Sequence, residues 1–143
     1  MAPAQIIFAL LRVGLGGIFV YAGALKIWDP AQFATDVHNF QLTPWTVSVL
    51  VAVYLPWLEL LAGLALIVRR LSLGASLAIV GMTLIFSVAL TSAWARGLDI
   101  SCGCFGKEEA KIKTDFPQLM LRDAALLAAA IVVLVGDARR SRK

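Results

Sequence analysis

Charge is scarce in this sequence: Lys, Arg, Asp and Glu make up 15% of its 143 residues, while 60% are hydrophobic. Soluble domains carry about 25% charged residues, so the bilayer is the expected solvent. Histidine occurs once and cysteine twice. Zinc usually takes four ligands, and two thiols with His38 and some carboxylates make a poor set, so no metal is expected. A basic n-region is also missing, because Arg12 falls inside the first apolar stretch. The first helix is therefore expected to be retained and not cleaved as a signal peptide. No repeat or low-complexity tract interrupts the chain.

What the sequence does have is long apolar runs. Residues 71–95 contain no charge over 25 positions, enough at about 1.5 Å per residue to cross a hydrocarbon core of about 30 Å. Similar stretches cover residues 4–27, 44–68 and 117–136. The expected fold is all-α, an integral membrane four-helix bundle forming a single domain over residues 1–143. Arg69-Arg70 makes the tight turn that closes the second and third helices into a hairpin.

Arg69, Arg70, Arg139, Arg140, Arg142 and Lys143 fall on one side of this topology. The positive-inside rule then puts both termini in the cytoplasm and the other loops outside an inner (plasma) membrane. Lys26, Arg96, Lys107, Lys111 and Lys113 on the opposite side weaken that bias, whereas Trp28, Trp45 and Trp94 all lie at the outer helix ends, where indoles prefer to sit. With its cations at helix ends, the net charge of +4 orients the chain in lipid and does not imply nucleic acid. In the first outer loop Trp28-Asp29-Pro30 reads as a cap followed by proline at a first helical position. Phe33, Val37 and Phe40 follow at helical spacing, so a short interfacial helix is expected. His38 lies off that stripe and reads as solvated.

The second outer loop, residues 96–116, carries Cys102-Gly103-Cys104. Two thiols one residue apart can form a redox couple, bind a soft metal or clamp the loop. Two residues of extended chain span up to about 7 Å, at the limit for a disulfide, so ring closure needs the turn that Gly103 permits. Such a strained bond exchanges readily with other thiols, and disulfides persist outside the cytoplasm. Cys102 and Cys104 are thus the candidate catalytic residues. Arg96 and Lys107 are nearby cations that could lower a thiol pKa, and His38 shares the same membrane face.

Charges inside the helices form the second informative set, since each costs about 2.5–3.5 kcal/mol at the bilayer centre unless it is paired or hydrated. Arg12 and Glu59 lie at similar depths counted from their helix ends, and an ion pair between them is expected. Arg12, Gly16, Phe19, Gly23 and Lys26 recur at spacings of four and three, drawing one face of the first helix whose glycines admit a close neighbour. Glu59 and Gly63 share a face of the second. Arg122 and Asp123 sit within reach of Lys26, giving a polar cluster beneath the cysteine loop, although Arg122 could instead snorkel to the surface.

These residues resemble a known family. The run Arg12-Val13-Gly14-Leu15-Gly16-Gly17-Ile18-Phe19-Val20-Tyr21-Ala22-Gly23-Ala24-Leu25-Lys26 is similar to the opening helix of DoxX-type membrane proteins, and Glu59-Leu60-Leu61-Ala62-Gly63 resembles their second-helix signature. Cys102-Gly103-Cys104-Phe105-Gly106 is similar to the MauE branch, the methylamine-utilisation membrane proteins. The resemblance implies a four-helix, redox-associated membrane protein that assists maturation of a periplasmic, disulfide-rich enzyme subunit.

The expected function is therefore thiol-disulfide exchange or electron conduction through the Cys-Gly-Cys loop. Its partner would be an extracytoplasmic thiol protein or oxidoreductase subunit. No second cysteine pair exists to relay electrons across the membrane, so a quinone or an external partner would complete the cycle. The alternatives are a non-enzymatic anchor or assembly subunit of an oxidoreductase, and a small-substrate or metal transporter lined by Arg12, Glu59 and Arg122.

Overall fold

The computed structural model describes residues 2–98 and 116–143. Five helices make up the described chain: α1 (Pro3–Trp28), α2 (Pro30–Asn39), α3 (Trp45–Val68), α4 (Ser72–Ala95) and α5 (Phe116–Ser141). Four of them are long and apolar enough to cross a membrane, with α5 qualifying over Pro117–Ser141. Polarity is distributed as lipid demands. The outward surface is apolar, with Ile7, Leu10, Tyr54, Leu61, Ile85, Val88 and Leu121 exposed, while Arg12, Lys26, Glu59, Asp123 and Asp137 are buried. Trp28, Trp45 and Trp94 are exposed at one end of the bundle, matching an interfacial aromatic belt.

α1 packs chiefly on α3, and α4 on α5. The α1–α3 contact is made by glycine. A Cβ on Gly63 would lie 2.6 Å from the Gly16 carbonyl oxygen, and one on Gly23 would lie 2.8 Å from that of Pro56. The backbones touch, as the small-residue spacing of α1 predicts. Leu15, Phe19, Leu66, Ile79, Ala130 and Val133 fill the centre between all four spans.

The turn between α3 and α4 closes through Arg69 in the left-handed conformation, φ 69°, a C-terminal position that glycine usually takes. α2 starts as the sequence indicates, with the Asp29 side chain accepting from the Gln32 amide at 3.1 Å and Pro30 in the first turn. It buries Phe33 and Ala34 and packs mainly on α3. The last helix departs from expectation. It continues past Gly136 to Ser141, and Gly136 faces the Phe8 ring, which a Cβ there would meet. In α5 it serves as a packing position and not as a stop.

Candidate functional site

Lys26, Glu59, Arg122 and Asp123 converge on one cavity of about 100 Å³ near the Trp28 end, enclosed by Phe19, Phe33, Leu55, Met82, Thr83, Phe86 and Leu126. Lys26 Nζ donates to both Glu59 carboxylate oxygens, at 2.8 and 2.9 Å, and both side chains are buried. The ammonium also lies 4.9 Å from the Phe33 ring centroid, a cation–π distance that brings α2 into the same cluster. Across the cavity Asp123 accepts from the Ser87 hydroxyl, joining α5 to α4.

The expected partner of Glu59 was Arg12, and the structure replaces it with Lys26. Helix register explains the correction. Gly16 meets Gly63 in the antiparallel α1–α3 contact, so Arg12 falls level with Ile67. That is eight residues from Glu59, about 12 Å along the axis. Side chains on a helix tilt toward its N-terminus. Lys26 therefore leans into the bundle while Glu59, on the antiparallel helix α3, leans toward the Trp28 end. Arg12 instead lines a second pocket at the Arg69 end with Asp137.

Cys102 and Cys104 lie outside the described residues, as does Lys107. Arg96, the other cation expected near the thiols, makes a contact of its own. Its guanidinium donates to the Phe40 and Gln41 carbonyls, tying the end of α4 to the end of α2. His38 is exposed and meets the Trp45 ring edge-on at 5.4 Å between centroids. The cluster is thus where Lys26, Arg122 and Asp123 were expected to meet, with Glu59 added from the ion pair expected with Arg12.

Sequence reasoning passed over three polar side chains that the structure gives interior positions or contacts: Ser87, Asp36 and Asp137. Ser87 gave no signal in an uncharged run. Asp36 on α2 is buried and accepts from Gln32 Nε2 at 3.1 Å. Burial pushes its carboxyl above the ordinary 3.8, against the pull of the Gln32 hydrogen bond, and the negative charge of Asp29 adds to the rise. Asp137 was legible, because Leu119, Asp123, Leu126, Ala130, Val133 and Asp137 alternate at four and three along the inner face of α5. Ending that helix at Gly136 hid it.

No solved structure matches the chain. The family model "Methylamine utilisation protein MauE" matches residues 4–136. The chain is 33% identical over 127 residues to the methylamine utilization protein MauE of Paracoccus denitrificans, covering 88% of this chain and 67% of that protein. It is also 33% identical over 103 residues to the MauE of Methylophilus methylotrophus, covering 71% of this chain but 53% of the relative. The chain thus spans about two thirds of the first relative and half of the second. With the family model running across all four membrane helices and the buried Lys26–Glu59 cluster, this chain belongs to the MauE family.

Proposed function

We propose that the protein is a membrane accessory factor in methylamine utilisation, acting through thiol-disulfide exchange at Cys102 and Cys104 on an extracytoplasmic partner. The observation that carries the reading is the position of the charged cluster. α4 ends and α5 begins at the end of the bundle where Lys26, Glu59, Arg122 and Asp123 gather. The chain segment bearing Cys102-Gly103-Cys104 leaves and re-enters the bundle there. The cluster fixes all five described helices around that point. Lys26–Glu59 joins α1 to α3, the Phe33 ring adds α2, and Asp123–Ser87 joins α4 to α5.

In this reading a Cys102 or Cys104 thiolate attacks a disulfide of the partner, forms a mixed disulfide and expels one partner thiolate. The second cysteine then resolves the mixed disulfide, so that two electrons pass to the partner and the Cys-Gly-Cys ring closes. Run backwards, the same steps oxidise a partner dithiol. Orientation of the loop toward the outside follows from the basic Arg69 end being cytoplasmic.

Single Cys102→Ser and Cys104→Ser variants, expressed in intact cells and quenched with an alkylating agent, test the reading. One of them should accumulate a mixed disulfide with an extracytoplasmic protein, visible as a reducible band. If neither traps a partner and both support wild-type maturation of the dependent enzyme, the exchange reading fails and a non-enzymatic anchor is left.

A further inference from the structure

The opposite end of the bundle holds a pocket of about 380 Å³ that the cysteine chemistry does not use. Its lining contains four guanidinium groups, Arg12, Arg69, Arg70 and Arg140, against one carboxylate, Asp137. The first turn of α4, from Leu71 to Gly74, forms another wall. That helix has no side-chain cap at its N-terminus, so its first amide groups and the positive end of its dipole face the same space.

Two buried polar atoms of pocket-lining residues have no hydrogen-bond partner among the described residues. They are Nε of Arg12, which is 5% exposed, and Oδ2 of Asp137, which is 6% exposed. Buried polar groups are normally satisfied, and a guanidinium in a span costs kilocalories unless something answers its charge. Asp137 supplies one negative charge to a pocket with four positive ones. It does not close a salt bridge on Arg12, and Arg12 stays within the repulsive fields of Arg69 and Arg140.

We infer that this pocket binds a phosphate group, held by the Arg12, Arg69, Arg70 and Arg140 guanidiniums and the amide groups opening α4. Forked guanidiniums match phosphate oxygens, and an uncapped helix N-terminus is a ready anion site. The orphaned Asp137 oxygen adds a selectivity element, since it can accept from a hydroxyl or ammonium next to the phosphate. A free phosphate and the headgroup of an anionic phospholipid share this chemistry. The pocket opens at the end of the spans, at headgroup level.

The test uses the full chain, purified in a neutral detergent. Thermal unfolding is followed while inorganic phosphate is titrated at constant ionic strength against chloride. It is then repeated in nanodiscs of phosphatidylcholine with and without phosphatidylglycerol. Saturable stabilisation by free phosphate identifies a soluble ligand; stabilisation by phosphatidylglycerol alone identifies a lipid headgroup. Arg70→Gln and Arg69→Gln change exposed side chains, relieve like-charge crowding in the unliganded pocket, so that the unliganded melting temperature holds or rises, and should weaken half-saturation at least tenfold. Arg12→Lys keeps the buried charge but loses the fork and should weaken it further. The inference is overturned if neither probe stabilises the wild type beyond chloride, or if Arg69→Gln and Arg70→Gln respond as the wild type does.

Discussion

The two ends of the bundle bury charge in opposite ways. Near Trp28, Lys26 and Glu59 close on each other through two hydrogen bonds and Asp123 is held by Ser87. Near Arg69, Arg12 and Asp137 are as deeply buried, but Arg12 Nε and Asp137 Oδ2 have no hydrogen-bond partner among the described residues. Burial alone therefore does not assign a role to an intramembrane charge. A satisfied pair positions helices, whereas an unsatisfied pair retains the capacity to bind.

The largest effect should come from breaking the closed pair. Glu59→Gln or Lys26→Met leaves one buried charge without its partner, a loss of about 3–5 kcal/mol in buried ion pairs. Replacing both by Met should recover most of it, because the apolar pair removes the desolvation cost along with the attraction. Asp137→Asn at the other end should cost clearly less, since no hydrogen bond or salt bridge among the described residues is lost and only the longer-range attraction for Arg12 goes. Denaturation in mixed micelles reads all four variants. Equal losses for Glu59→Gln and Asp137→Asn would abolish the distinction between the two ends.

A smaller effect is expected at the glycine seam that sets the register for the closed pair. Gly63→Ala drives a methyl against the Gly16 carbonyl and should cost about 1–3 kcal/mol, the range for overpacked interiors. Gly17, with nothing within 4 Å of its notional Cβ, is the control. Gly17→Ala should be neutral or stabilise by up to about 1 kcal/mol, the helix preference of alanine over glycine. The same denaturation assay separates the two, and Gly63→Ala should also weaken Lys26–Glu59.

Below that lies Arg96. Arg96→Ala removes the guanidinium from the Phe40 and Gln41 carbonyls and should cost about 1 kcal/mol, a typical net value for such bonds. Amide hydrogen exchange should localise the change to α2. Uniform acceleration across α3 and α4 would show that the tie serves the whole bundle.

The sequence made the bundle legible because lipid imposes a simple rule: an apolar run long enough to span must be a helix. The α1 stripe from Arg12 to Lys26 and the α2 cap at Asp29 were readable for the same kind of reason, since spacing and capping act locally. The identity of the Glu59 partner was not. Depth counted from helix ends ignores the register that Gly16 and Gly63 impose, and that register depends on a contact between residues far apart in the chain. Ser87 was invisible because a serine in a span bonds to its own helix as readily as to a neighbour, and only packing selects Asp123. Cys102 and Cys104, the sharpest chemical signal in the sequence, lie outside the described residues. Their chemistry rests on sequence and kinship.

Asp36 supplies a third kind of buried charge, in α2 outside the membrane spans, where a hydrogen bond from Gln32 is its one named stabilising contact. Because burial raises its folded pKa above 3.8, the folded state binds more protons than the unfolded chain between those two values. The stabilising contribution of the protonated acid is complete below 3.8 and is lost as pH rises toward the folded value. Asp36→Asn keeps an oxygen for Gln32 and cannot ionise. The variant should therefore match the wild type at acidic pH and become the more stable of the two as pH approaches neutrality, the smallest of the four effects. A stability–pH profile of both proteins in detergent checks it. A variant that becomes the less stable of the two as pH rises toward neutrality would mean that Asp36 has an unrecognised cationic partner and belongs with the closed pair after all.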